Sequence, residues 1–245
     1  MTLLRKKRSS PTERARTPWE QGEGASGTVT RVAFQKRAGS ERVNVHLDGA
    51  YAFSLAADLG MALREGQQLD VPSIRELLAR DAADRAYQQA LHFLAARPRS
   101  IAEVRRRLGE YGHEPAAIEG AVERLAHHQL VDDTEFAAYW VQQRQTFHPR
   151  GPRALRAELR QKGVERDAVD TVLEPVAEDQ EAAAYRAGER KARSLILADE
   201  REFGRLMGAF LARRGFDFDA ARTASRRLWA DTHGTAEELD LEVSE

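Results

Sequence analysis

The sequence predicts a mainly α protein: three tandem three-helix repeats in a curved elongated array, preceded by a small N-terminal β-hairpin module. Three observations carry this expectation. Between residues 27 and 55 apolar and polar residues alternate, the period of half-buried strands. From about Pro72 to Trp229 apolar residues recur three and four apart, the period of amphipathic helices. Within that helical stretch one pattern, centred on Gly112, Gly163 and Gly215, returns after 51 and then 52 residues.

The elements follow in chain order. Residues 1–26 have no period and hold Pro, Gly, Ser and Thr, so they read as a basic tail without regular structure. Val29–Gln35 reads as a strand, and Val43, Val45 and Leu47 mark a second one. Asp48-Gly49 signals a hairpin, and Tyr51, Phe53 and Leu55 continue into a third strand. A two-residue turn would set Leu47 opposite Ala50 and send Tyr51 and Phe53 to the other face. A three-residue turn, Asp48 to Ala50, pairs Leu47 with Tyr51 and Val45 with Phe53 on one apolar face, and is the expected arrangement. A short helix near Ala56–Leu63 and a turn at Glu65-Gly66 close a β module over 27–71.

The repeats are expected over 72–132, 133–179 and 180–230. Leu108, Leu159 and Leu211 lie four residues before the three glycines; Val104, Leu155 and Met207 lie eight before. These positions share one helical face, and the glycine suits the left-handed residue that ends a helix. After each glycine, Ile118, Val169 or Ala221, then Val122, Leu173 or Ser225, then Leu125, Val176 or Leu228, share one face of a following helix. An upstream helix completes each unit, near Ala86–Ala95, Phe136–Arg144 and Ala182–Arg193. Asp132 to Glu135 has the form of a capping box opening the second repeat. Units of this kind stack on one another, and such arrays usually present a binding surface. A compact helical globule that arose by duplication would carry the same pattern. Residues 231–245 are strongly acidic and are expected to be a second irregular tail.

Composition narrows the chemistry. The chain has 245 residues, 31% charged and 42% apolar, enough for a sizeable core. It has no cysteine, so disulfides, thiol nucleophiles and Cys-ligated metals are excluded. No apolar run is long enough to span a membrane and no secretory leader is visible, so a cytoplasmic location is expected. The net charge of −1 conceals a basic start and an acidic end. Gly22-Glu23-Gly24-Ala25-Ser26-Gly27 matches a dinucleotide fingerprint, but a strand is expected after it where that site needs a helix. His127 and His128 are adjacent and cannot share a helical face. No catalytic constellation, metal site or cofactor is expected.

Arginine is abundant, 33 against five lysines, and it clusters at the same place in each repeat. Arg97, Arg99, Arg105, Arg106 and Arg107 face one acid, Glu103. Arg144, Arg150, Arg153, Arg156, Arg160, Lys162 and Arg166 face two acids, and Arg205, Arg213, Arg214, Arg222, Arg226 and Arg227 face two more. Guanidinium forks suit phosphates and carboxylates. Solvated helix faces carry such residues too, so both readings stand for any single arginine. The recurrence singles out Arg106, Arg107, Arg150, Arg153, Arg156, Arg213 and Arg214 as candidates for partner binding. Tyr139 and Trp140 are expected to pack in the core, with base stacking the alternative, and Phe216 and Phe218 are expected to pack against neighbouring helices.

Leu130–Arg144, followed by Gly151–Val164, resembles the RecX family of RecA regulators. Ser100–Gly112 and Phe210–Ala221 are similar to the flanking repeats of that family, and Leu47–Leu55 to the β region that precedes them in some members. The resemblance runs from about Gly27 to Trp229; the basic leader and acidic end lie outside it. It implies a non-catalytic modulator that binds the RecA filament and DNA in the filament groove, and a monomer is expected. It also implies restraint of RecA's ATP hydrolysis, strand exchange and coprotease activity. A helical-repeat protein that binds DNA without RecA is the alternative reading of the same residues.

Overall fold

The computed structural model describes residues 17–19, 24–35 and 41–242, with side chains as far as 233. The basic leader, residues 1–16, therefore lies outside the described residues. Strands β1 (Gly27–Phe34), β2 (Arg42–Leu47) and β3 (Ala50–Ala56) are followed by helix α1 (Ala57–Met61) and a short strand β4 (Gln68–Leu69). Then come α2 (Val71–Leu94), α3 (Ile101–Glu110), α4 (Pro115–His127), α5 (Asp133–Phe147), α6 (Pro152–Gln161) and α7 (Arg166–Glu178). Helices α8 (Gln180–Arg193), α9 (Glu200–Arg213) and α10 (Phe218–Glu242) end the fold. The protein is mainly helical with a small antiparallel strand module at its N-terminal end, as the sequence predicts. The chain divides into two compact units. The first holds residues up to Gln88 together with His113–Ala121, and the second holds Gln89–Gly112 and the residues from Val122 onward.

In the first unit the sheet order is β3-β2-β1-β4, antiparallel throughout. The hairpin differs from the expected register in an instructive way. Leu47 pairs with Ala50 across a two-residue turn in which Asp48 has φ 50° and Gly49 φ 83°. Both central residues are left-handed, the turn type whose twist matches that of paired strands. The extra residue sits further along, at Ala52, because His46 pairs with Tyr51 while Val45 pairs with Phe53. This bulge returns Phe53 and Leu55 to the face that already holds Val43, Val45 and Leu47, and all five are buried. Tyr51 stays on the opposite face, edge-on to His46. The pairing of Val45 with Phe53 was expected; the expected pairing of Leu47 with Tyr51 does not occur.

The module does not close on its own strands. Ile74, Leu77 and Leu78, from the first turns of α2, pack on its core, and so does Trp19 from the stretch expected to be irregular. The Trp19 indole N–H donates to the Ala25 carbonyl at 2.9 Å. Asp81 of α2 is buried and accepts two bonds from the Arg42 guanidinium, at 2.9 and 3.0 Å, plus the Ala56 N–H at 2.7 Å. A buried carboxylate needs such compensation, and here it fastens helix to sheet.

The three glycines adopt the left-handed geometry read from sequence, with φ of 83° at Gly112, 78° at Gly163 and 86° at Gly215. After α6, the Val164 N–H donates to the Leu159 carbonyl and the Gly163 N–H to that of Arg160. After α9, Phe216 and Gly215 bond Leu211 and Ala212 in the same way. These are Schellman closures, each with an apolar residue following the glycine and buried near the last helical turn. The six residues four and eight before the glycines are at most 1% exposed. Asp132 caps α5 by accepting from the Thr134 and Glu135 N–H groups at 2.7 and 2.9 Å. The acid-rich end differs from expectation: α10 continues without a break to Glu242, so residues 231–242 are helical.

Candidate polyanion-binding face

Within the second unit the three central helices, α3, α6 and α9, meet end to end. The start of α3 lies on the end of α6: Ser100 Oγ accepts from the Glu103 N–H and donates to the Lys162 carbonyl at 2.6 Å. The start of α6 lies on the end of α9: the Gly151 N–H donates to the Arg214 carbonyl at 2.9 Å, and the Arg153 N–H to that of Gly215 at 3.3 Å. Unsatisfied donors at one helix start meet unsatisfied acceptors at the next helix end, with the two macrodipole ends opposed favourably. The approach is close enough to exclude side chains. A Cβ on Gly163 would overlap Ala102, and one on Gly151 or Gly215 would overlap the facing backbone.

This joint fixes where the cations stand. Each helix start is preceded by an arginine, Arg99 or Arg150, and each helix end carries a basic cap, Lys162 or Arg214. At the first joint Glu103, 3% exposed, receives Lys162 Nζ at 2.7 Å and Arg97 at 3.3 Å. Burial raises the affinity of this carboxyl for a proton, but the bonds from Lys162 and Arg97 outweigh it and hold the group below the usual carboxylate range. Arg99 stacks 4.0 Å above the Phe93 ring, and Arg107 lies 5.9 Å from the same ring and 4.4 Å from that of Tyr111. Burial, then the charge of Arg97, lowers the Arg99 guanidinium below its ordinary value.

At the second joint Glu158 accepts from Trp140 Nε1 at 2.8 Å and Arg144 Nε at 2.7 Å, with Arg150 Nε 3.7 Å away. Arg144 and Lys162 flank the Trp140 ring at 4.5 and 4.8 Å, which links the two joints. Arg214 donates to the Pro149 carbonyl at 3.3 Å and lies over Phe210. Burial, then the adjacent Arg150, lowers its guanidinium. Arg97 and Lys162 thus share Glu103, and Arg144 and Arg150 share Glu158, while Arg99 and Arg214 lie beside them over aromatic rings. The Nε atoms of Arg99, Arg107 and Arg150 are buried with no hydrogen-bond partner among the described residues, while Arg107 pairs through its Nη1 with Glu110 at 2.9 Å. These side chains are half-buried, and crowded guanidinium groups that outnumber their carboxylates can take phosphates or carboxylates where they reach the surface.

The seven arginines singled out from sequence are not all brought together. Arg107, Arg150 and Arg214 join this face. Arg156 is held by Asp170 at 3.0 Å, which also takes Arg166 at 3.3 Å. Arg106, Arg153 and Arg213 are exposed. The face also contains Arg97, Arg99, Arg144 and Lys162, which belong to the same sequence clusters but were not singled out. Position finds two of them: Arg99 stands one residue before the Ser100 cap of α3, and Lys162 one before the left-handed Gly163. Trp140 is half-buried, as expected for core packing, yet its N–H serves Glu158. Phe216 is buried as expected, but Phe218 is 76% exposed, so it does not pack in the core. Among the described residues no group of three His, Asp or Glu side chains forms a metal site, and no helix is long and apolar enough to cross a membrane.

Comparison with known proteins matches three family descriptions in chain order. Residues 27–70 match the regulatory protein RecX N-terminal domain, 86–125 the first RecX three-helix domain, and 132–173 the second. Regulatory protein RecX of Bacillus pumilus (strain SAFR-032) is 30% identical over 218 residues, covering 88% of this chain and 81% of the relative. That of Bacillus subtilis (strain 168) is 32% identical over 203 residues, covering 82% and 76%. A crystal structure of regulatory protein RecX superposes with a TM-score of 0.68 at 26% identity, covering 82% of this chain and 99% of that one. RecX from Lactobacillus salivarius shares the fold, with a TM-score of 0.56 at 21% identity over 61% of this chain. With β module, repeat order and relatives in agreement over most of its length, this chain belongs to the RecX family.

Proposed function

We propose that this chain is a non-catalytic regulator in the cytoplasm that binds the RecA–DNA filament as a single copy and restrains RecA's ATP hydrolysis, strand exchange and coprotease activity. The observation that supports this reading most is the repetition of one joint. A cation before the helix start and a cation at the next helix end recur at both joints, on the face that carries Arg97, Arg99, Arg144, Arg150, Lys162 and Arg214. A ligand with regularly spaced negative charge, such as a nucleoprotein filament, matches a repeating cationic surface better than a single anion does. Arg107 extends the face. Arg106, Arg153, Arg156 and Arg213 are secondary contacts in this reading.

The test is RecA-dependent ATP hydrolysis on single-stranded DNA with the protein titrated in, beside its binding to DNA alone in the same buffer. Hydrolysis is expected to fall at concentrations that leave bare DNA uncoated. The variant R99Q/R150Q/K162Q/R214Q is expected to need about tenfold more protein for the same effect, at unchanged helicity. Unaltered hydrolysis together with tight binding to bare duplex would favour the DNA-binding alternative.

A further inference from the structure

The third repeat carries an open cleft of about 630 Å³ between α9 and α10. Its floor is unusual for a helix pair. Gly204, Gly208 and Ala212, four apart on α9, face Ala221, Ser225 and Trp229 of α10. A Cβ on Gly204 or Gly208 would meet nothing within 4 Å, so internal packing does not require either glycine. Glycine within a helix is destabilising relative to alanine, and here the fold gains nothing for it. Phe218 stands exposed at the edge.

The second repeat supplies an internal comparison. Fifty-two residues earlier, Arg156 and Arg160 occupy the places of Gly208 and Ala212, and Arg166 and Asp170 those of Phe218 and Arg222. That cleft is walled by its own ion pairs, with Arg156 and Arg166 both bound to Asp170. In the third repeat the self-paired charges are gone from the floor and cations remain on the rim. Arg153, Arg205, Arg222 and Arg226 border it beside Glu200 and Asp217, Arg205 loosely paired with Glu202 at 3.9 Å and Arg222 with Asp219 at 3.4 Å. Asp217 is committed internally, accepting the Ala220 N–H at 2.8 Å and Gln180 Nε2 at 2.9 Å.

We infer that this cleft docks an acidic amphipathic helix of a partner protein. The glycine face admits the close approach of a helix backbone, the apolar floor and Phe218 take its anchors, and the arginine rim pairs its carboxylates. The site shares none of the six cations of the polyanion-binding face and only Arg153 with its secondary contacts, so variants at Gly204, Gly208, Arg222 and Arg226 test it separately.

The probe is a fluorescein-labelled synthetic helix of about five turns, with Leu and Phe at three- and four-residue spacing and Glu elsewhere. Its anisotropy is followed on titration with the full chain, beside a counterpart in which Lys replaces every Glu. The acidic helix is expected to bind about tenfold more tightly than the basic one. G204Q/G208Q, which fills open space and improves helix propensity, is expected to weaken binding about tenfold without loss of thermal stability. R222E/R226E is expected to weaken it similarly with the floor intact. Equal affinity for both helices, no binding at about 1 mM, or unchanged affinity in both variants would overturn the inference. Self-association that G204Q/G208Q abolishes would overturn it too, by assigning the cleft to a second copy.

Discussion

Gly112, Gly163 and Gly215 look alike in sequence, yet they bear different loads. All three hold positive φ, which costs a residue with a side chain about 1–2 kcal/mol. Only the second and third are also packed against a neighbouring repeat. G112A is therefore expected to lower stability by about 1 kcal/mol. G215A, whose Cβ would meet the Ala154 backbone, is expected to cost about 2–4 kcal/mol, since strain and overlap add. Chemical denaturation of the two variants side by side checks the difference, and equal losses would contradict the end-to-end joint. Glu103 offers a second test. Its carboxyl is held below the usual range in the folded state, so the ion pairs stabilise at neutral pH and this contribution is lost as pH falls through the folded value. E103Q is expected to cost about 1–3 kcal/mol at pH 7, with the gap from the parent protein closing in acid. A gap that does not change with pH would show that the cost is one of packing.

At the scale of elements, local signals and tertiary corrections lie side by side. Asp132 is legible as a cap because a short carboxylate precedes an apolar helix. D132A is expected to lower stability by about 1 kcal/mol, with the loss of hydrogen-exchange protection confined to the first turn of α5. Its neighbour Asp133 acts differently. Burial raises its carboxyl, and its Oδ1 accepts the Ile101 N–H at 2.9 Å, a bond that joins α5 to the start of α3. D133N keeps an acceptor and removes a buried charge, so stability at pH 7 is expected to be unchanged or higher. In the parent protein stability should rise relative to D133N as pH falls through the raised value. The hairpin teaches the same lesson in the strands. Alternation required one apolar face and one extra residue, and the reading from sequence placed that residue in the turn. The left-handed pair Asp48-Gly49 makes a tight turn favourable, so the bulge moved to Ala52, where a small buried residue fits.

For the whole molecule the relevant quantity is charge. The chain is nearly neutral, so binding to a polyanion depends on where cations are gathered rather than on their number. Affinity for the filament is expected to fall steeply with salt, and neutralising Arg99, Arg150, Lys162 and Arg214 should flatten the logarithmic salt slope by about 3–4. R156Q, which removes an ion pair with Asp170 outside this face, is expected to leave the slope unchanged. Flattening by about 0.9, the share of one phosphate contact, would mean that charge acts without regard to position.

The family, the β module, the order of the three-helix units and the closing glycines were legible in the amino-acid sequence. The family rests on the resemblance of the repeat segments; the rest follows from periodicity and local backbone geometry, which a few neighbouring residues dictate. Arg150 and Arg214 could be singled out because they flank the glycine and helix-start signals of the repeat. That Lys162 and Arg97 share Glu103, that Arg156 is tied to Asp170, and that Phe218 is exposed were decided only by the tertiary structure. These facts depend on which residue from another helix comes near. The end of α6 meets the start of α3 some sixty residues away in sequence, as in the bond from Ser100 to Lys162. Periodicity tells which face of a helix is buried; the neighbour that buries it, and the charge that neighbour brings, follow from how the helices pack.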